Sequence, residues 1–291
     1  MERFNPLNDY LFLKIMGEEG DEEQCLAFLN AVLGSKRRQP VKLVRILENR
    51  TFTAEVIGDK SSILDVRVET DSREKVDIEV QLKDLYDMEK RTLYYWGREF
   101  AKSIPEGGEY KDLPKVININ IVNFDNIKLD EFHTCFHLWE DDHHEYLLTD
   151  VLEIHFISMV KYRKLKTGDV AHNLLERWLA FLDVHTPEET LREVIQMDSA
   201  ISKANERLNL VTQDEEVLRH YQIRQEMAKM DWNSTVNGAT RKGIEIGMEK
   251  GSMQSKIEIA RNLLGEGLSI ELVHKTTGLD IETIQTLVGQ V

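Results

Sequence analysis

Two runs of the chain alternate apolar and polar residues with a period of two, and a short turn separates them. That pattern commits the segment to a β-hairpin with chemically distinct faces. In the first run, 63–69, Leu64, Val66 and Val68 share one side, and Asp65, Arg67 and Glu69 the other. In the second, 75–83, Val76, Ile78, Val80 and Leu82 oppose Lys75, Asp77, Glu79, Gln81 and Lys83. Asp71-Ser72-Arg73 supplies the turn. Pairing the runs brings Asp65 and Glu79 to a common face, with Gln81 one side-chain repeat further along. Such a face has two readings. It is the wetted side of an antiparallel sheet, or it presents two carboxylates on rigid neighbouring strands, which a hard divalent cation needs for phosphodiester hydrolysis.

The elements around the hairpin indicate a mixed α/β layer. Asn8 or Asp9 caps a helix through Leu11, Phe12, Ile15 and Met16, and a second helix spans 22–33 with Gly34 as its stop. Segments 41–47, 115–124 and 151–159 read as strands, and 84–104 as a helix closed by Pro105 and Gly107-Gly108. From Gly168 onward the pattern is helical, over 171–182, 188–196, 200–209, 214–230, 256–264, 270–276 and 281–288. Ser269 and Asp280 are the expected caps of the last two helices. The expected division is a core over 1–165, a helical extension over 166–240 and a C-terminal unit over 241–291 resembling a helix-turn-helix. Within that unit, Gly243, Gly247 and Gly251 recur every fourth residue, each costing about 1 kcal/mol relative to alanine in a helix. Close approach of another helix would offset this, which favours homo-oligomerisation; a frayed helical linker is the alternative. The final helix carries no basic residue, so it suits a protein contact better than a DNA groove.

Composition narrows the chemistry. With 52 acidic against 37 basic residues the formal net charge is −15, which argues against a broadly basic nucleic-acid surface. The acid excess is dense over 131–160, which has seven acids and no Lys or Arg. Basic clusters remain elsewhere: Lys36, Arg37 and Arg38 with Lys42 and Arg45, and Lys161, Arg163, Lys164 and Lys166. Each is either a phosphate contact or solvated surface. Two cysteines, Cys25 and Cys135, exclude a disulfide framework and a four-thiolate zinc site. No apolar run reaches bilayer length and Met1–Asn5 lacks a signal-peptide core, so a cytoplasmic protein without a membrane partner is expected. His133-x-Cys135-x-His137, followed by His143 and His144, gathers zinc donors if it is a strand. It reads equally as an acidic, histidine-bearing loop. On the helix over 84–104, Arg91, Tyr94, Tyr95 and Arg98 share one side and suit phosphates and stacked bases. Alternatively Leu93, Tyr94, Trp96 and Phe100 pack on the sheet and the arginines stay wet.

The ordered set Asn8-Asp9-x-x-Phe12-x-Lys14, Asp65, Glu79-x-Gln81 and Arg91-x-x-Tyr94-Tyr95-Trp96, with the glycine ladder, resembles the PD-(D/E)XK nuclease superfamily. Within it, the set is most similar to the recombination-promoting nuclease and transposase family. The resemblance spans nearly the whole chain. It implies an α/β, restriction-endonuclease-like core flanked by helices, followed by an all-helical C-terminal region. It further implies a Mg²⁺-dependent DNA endonuclease, with Mn²⁺ as a substitute, and DNA as the partner. Asp65, Glu79 and Gln81 become the expected catalytic residues, and Asp65, Glu79 and the carbonyl of Val80 the expected metal ligands. Asp77 and Lys83 are auxiliary candidates; Lys14, Arg91, Tyr94 and Arg98 are candidate DNA contacts. Gln81 stands where the superfamily's motif carries lysine, and an amide orients water without contributing charge. A nuclease-derived binding or regulatory protein that no longer cuts is the competing reading.

Overall fold

The structure is a computed structural model that describes residues 3–20, 22–34, 37, 39–47, 66–104, 106–165 and 169–288; for 228, 231–239, 241–247, 249–250 and 288 it describes the backbone alone. Asp65, Lys36, Arg38 and Lys166 lie outside the described residues. The chain divides into two compact units, 1–232 and 233–291.

The first unit is built on a mixed sheet of six strands in the order β1-β2-β3-β4-β6-β5. Strands β1 (Val44–Ile46), β2 (Val66–Thr70) and β3 (Lys75–Gln81) form an antiparallel meander. In the hairpin Val66 faces Ile78, Arg67 faces Asp77 and Val68 faces Val76. The turn between its strands holds Arg73 at φ 62°, a left-handed conformation that Thr70 supports by accepting the Arg73 N–H through its carbonyl. Parallel pairing then joins β3 to β4 (Val116–Val122) and β4 to β6 (Leu147–Ser158). The link from β3 to β4 carries helix α3 (Met88–Lys102) over one face, as parallel strands require a crossover. Strand β5 (His133–Trp139) closes the far edge antiparallel to β6. The architecture is the α/β, restriction-endonuclease-like mixed sheet flanked by helices that the sequence suggests.

The two faces of this sheet differ in kind. On one, Val66, Val68, Val76, Ile78, Ile117, Ile119, Ile121 and Ile157 join the main core. Helices α1 (Asp9–Met16), α2 (Glu22–Leu33), α5 (Leu174–Leu182) and α7 (Ser199–Val211) supply its other side. An edge-to-face series runs Phe12–Phe28–Trp178–Phe181, with centroids 5.7–6.2 Å apart, a spacing at which aromatic pairs attract beyond simple burial. The remaining helices of the unit are α4 (Met159–Lys164), α6 (Glu188–Met197) and the start of α8 (Glu215–Gly265). The opposite face lies under α3 and is largely polar beside a small apolar cluster of Met88, Val122, Leu152, Ile154 and Phe156.

Several expectations need correction. The segment 131–146 contains a strand, β5, so the loop reading fails for His133 and His137 and holds for His143 and His144, which lie in the turn before β6. Strand β6 starts at Leu147, earlier than the apolar run indicates, because its first turns lie at an edge where polar residues alternate. Helices expected separately at 214–230 and 256–264, with the glycine ladder between them, form one element, α8, of 51 residues. The glycines lower intrinsic helicity without interrupting the hydrogen-bond ladder. A Cβ placed on Gly251 would meet nothing within 4 Å among the described residues. Leu93 and Tyr94 on α3 are 52% and 64% exposed, contrary to the reading that packs both on the sheet. Trp96 does pack there, donating its indole N–H to the Val116 carbonyl at 3.1 Å and stacking on Phe100.

In the second unit, α9 (Ile270–Thr277) and α10 (Ile281–Val288) gather Val273, Leu279, Ile284 and Leu287 against Ala260 of α8. Ser269 Oγ accepts the Leu272 N–H, Asp280 Oδ1 accepts the Thr283 N–H, and Gly278 ends α9 in the left-handed region at φ 67°. Ser269 and Asp280 thus cap as expected.

The aromatic series makes the main core sensitive to truncation. Phe28→Ala should cost about 3–5 kcal/mol of unfolding free energy, whereas Leu93→Ala on exposed α3 surface should change it by less than about 0.5 kcal/mol. Urea unfolding of both variants measures the difference; equal effects would contradict this account of the core.

Candidate functional site

Alternation along β3 sends Asp77, Glu79 and Gln81 toward α3, and the neighbouring strands decide what each side chain meets. Asp77 stands between Arg67 on β2 and Asn118 on β4, Glu79 beside Asn120, and Gln81 beside Val122. The face is therefore no wetted surface. Glu79 is 6% exposed, Asn118 5% and Asn120 1%.

Helix α3 answers this polar face with a polar stripe of its own at helical spacing. Arg91 Nη2 lies 2.6 Å from Glu79 Oε1. Thr92 donates its hydroxyl to Asn120 Oδ1 at 2.6 Å, and Asn120 passes its amide N–H to the His155 carbonyl at 2.9 Å. One turn on, Glu99 takes both Arg67 and Lys75, the latter at 3.2 Å. Buried polar groups survive only when partnered in this way.

The partnering is incomplete, most plainly at one facing pair. Asp77 Oδ1 and Asn118 Oδ1, on residues that face one another across β3 and β4, are sealed from solvent without a hydrogen-bond partner among the described residues. Each acceptor loses its water on burial with no donor in return. A proton on Asp77 or a bound cation relieves this. Burial, then the Glu79 carboxylate, push the Asp77 carboxyl up to about 7 against the opposing pull of Arg67. Burial likewise raises Glu79, with Arg91 opposing it and the charges of Asp87 and Asp9 adding to it. Asp87 and Asp9 are the residues sequence reasoning missed: Asp9 reads as a helix cap, and nothing in the local pattern shows that its charge reaches Glu79. Asp77, an auxiliary candidate in the sequence, has one oxygen sealed.

The other candidates fall as follows. Gln81 ends β3 and donates its side-chain amide to the Lys83 carbonyl at 3.0 Å. Lys83 lies past the strand's end, so the strand face expected to carry it does not extend that far. Val80 is 7% exposed and belongs to the main core. Lys14 pairs with Glu18 at 2.6 Å and lies over Tyr10. Arg98 lies over Tyr95 at 5.0 Å and Tyr94 at 5.9 Å, and Arg91 over Tyr95 at 5.6 Å, forming a cation–aromatic group on α3. Of the basic clusters, Arg37 is clamped by Glu74, and Arg45 meets Glu69. Lys161 donates to the Leu129 carbonyl and meets Asp125, while Arg163 binds Asp183. Their partners are in the fold, which leaves phosphate binding without support there.

For a divalent metal the donor set fits. It is made of hard oxygens on adjacent positions of one strand, one of them sealed and lacking a donor. No helix among the described residues is long and apolar enough to cross a membrane.

The raised Asp77 carboxyl has a pH consequence. It binds its proton more tightly folded than unfolded, so its contribution to stability is full below the ordinary carboxylate range and is lost as pH rises through about 7. With a chelator present, the Tm of the wild type should fall between about pH 5 and about pH 7 more steeply than that of Asp77→Asn. Parallel profiles for the two proteins would show that another group titrates. A divalent metal should reduce the fall in the wild type.

A family model described as PD-(D/E)XK nuclease family transposase matches residues 6–239. No curated protein and no solved structure matches the chain.

Proposed function

The chain belongs to the PD-(D/E)XK nuclease family transposases, and we propose that it is a metal-dependent DNA endonuclease whose hydrolytic centre lies on the β2–β3 hairpin. The observation that carries this reading is the Asp77–Glu79 pair facing α3, Glu79 buried and Asp77 half-buried, with a sealed Asp77 oxygen that lacks a hydrogen-bond partner among the described residues. Burying two carboxylates on one strand is costly, and a structural role is met more cheaply by apolar residues.

Asp65 and Glu79 hold the ion in this proposal, Mg²⁺ or Mn²⁺, with the Val80 carbonyl and Asp77 as further oxygen donors. Asp65 lies outside the described residues, and its place beside Glu79 is the expectation from the alternation of the two runs. Such an ion polarises a phosphate and lowers the pKa of a bound water. Glu79 and Asp77 supply the negative charge that selects a cation over a neutral ligand. Gln81 orients the attacking water through its amide, which its present bond to the Lys83 carbonyl keeps at the strand's end. Lys83 is the auxiliary cation. Arg91, which pairs with Glu79, lies with Arg98, Tyr94 and Lys14 among the residues that would contact DNA phosphates and bases. The homo-oligomer formed through α8–α10 is part of the same proposal, as is recombination or transposition of DNA as the setting.

A second reading has its own observation. Arg91 already sits on Glu79, and Gln81 replaces a lysine, as in a nuclease-derived protein that binds DNA without cutting it. Supercoiled plasmid separates the two. The wild type with Mg²⁺ or Mn²⁺ should nick or linearise it, and Asp65→Asn and Glu79→Gln should each lower the rate at least about 100-fold. Equal cutting by all three would remove the hairpin as the centre. Retarded migration of DNA without cleavage by the wild type would favour the second reading.

A further inference from the structure

Strand β5 presents His133, Cys135 and His137 on one face, and the antiparallel register sets Cys135 opposite His155 and His133 opposite Ile157. Glu153 and His155 of β6 share that face, the one opposite to α3, since their register partners on β4 are Ile117 and Ile119 of the main core. Two strands thus bring a thiol, three imidazoles and a carboxylate together, far in sequence from the hairpin and on the other side of the sheet.

We propose that Cys135, His137, Glu153 and His155 form a binding site for a zinc-class divalent transition metal, independent of the hairpin centre. Donor atoms of Cys135, His137 and Glu153 all lie within 4.8 Å of one another. Cys135 Sγ is 3.7 Å from His155 Nε2 and 3.8 Å from His137 Nδ1, and His137 Nε2 is 3.6 Å from Glu153 Oε2. Zinc–ligand lengths with tetrahedral angles require donor separations of about 3.4–3.6 Å, and the Cys135–His155 and Cys135–His137 contacts are near two such edges. The His137–Glu153 contact, from the other ring nitrogen to the oxygen that Lys115 holds, brings the carboxylate beside the site without being an edge of it. Glu153 Oε1 and His155 Nε2 are closer, at 2.6 Å, because they share a hydrogen. Metal binding at His155 Nε2 would move that hydrogen to Nδ1, where His133 Nε2 accepts it, and would release the thiol proton to solvent.

The surroundings suit the assignment. His133 Nε2 lies 2.8 Å from His155 Nδ1, stacked at 5.1 Å between centroids, and so fixes the ring that must present Nε2 to the ion. Lys115 Nζ, 2.5 Å from Glu153 Oε2, leaves Oε1 as the ligating oxygen. Glu153 and His155 are buried, while Cys135 and His137 are half-buried at the sheet edge, which gives an ion a way in. A thiol is a weak hydrogen-bonding group, so a place between two imidazoles serves it better as a ligand. The β5–β6 register breaks between Phe136 and Leu138, at His137, and such irregularities re-aim side chains. A mixed thiolate, imidazole and carboxylate set selects zinc-class ions over Mg²⁺.

Titration of the full-length protein with Co²⁺ tests the site, because a cobalt–thiolate bond gives a charge-transfer absorption band. One equivalent should develop that band, and Zn²⁺ should abolish it by displacement. Cys135→Ser should lack it, and His155→Gln should bind Co²⁺ at least tenfold more weakly, while Glu79→Gln should keep it. Cys25 is fully buried in the core and supplies no competing thiolate. A wild-type protein without the band, or a band that survives Cys135→Ser, would overturn the proposal. Cys135 is half-buried, so its substitution leaves the main core intact.

Discussion

The contact between Arg91 and Glu79 sets the terms for one side of this sheet. A carboxylate at the centre of a six-stranded sheet is tolerable only if a cation reaches it, and the cation must come from whatever covers the sheet. Helix α3 therefore docks by charge as much as by apolar area, with Arg91 on Glu79, Thr92 on Asn120 and Glu99 between Arg67 and Lys75. Met88 and Trp96 provide its apolar anchorage. An all-apolar helix could not occupy this position, because it would leave the strand's charges without partners.

The opposite face needs such compensation only toward β6, where Lys115 meets the buried Glu153. Its valines and isoleucines meet the aromatic series of α1, α2 and α5, and the energy of that contact is nondirectional. The sheet is thus held by packing on one side while the other is free to carry chemistry. This division of labour explains how the hairpin retains two carboxylates that contribute little to cohesion. It also separates the Cys–His–Glu group, which lies on the packed side beyond the end of the aromatic cluster.

Much of this was legible in the residues. Period-two alternation located β2 and β3 and assigned their faces, and capping chemistry located the ends of α9 and α10. What the sequence could not show was who covers whom. Asp77 and a solvated surface charge look the same in one dimension; only the neighbours Arg67 and Asn118 and the helix above distinguish them. Leu93 and Tyr94 look like packing residues, but α3 turns toward the sheet through Met88, Arg91, Thr92 and Trp96. The β5 histidines read equally as a loop because His133, Cys135 and His137 fill one face of the strand, so the apolar alternation of a half-buried strand is missing. Local propensity also divides α8 at its glycines, whereas helix continuity depends on the whole segment.

Strand β4 alternates isoleucine with asparagine at 117–121 and is buried on both sides. A displacement of one residue along its neighbours would turn Asn118 and Asn120 into the hydrocarbon core and set Ile117, Ile119 and Ile121 against the charges under α3. Both errors would be penalised at once, each amide losing its partners. A central strand with two incompatible sides therefore acts as an alignment key during assembly: the chain proofreads its own strand pairing before the last helix settles over it.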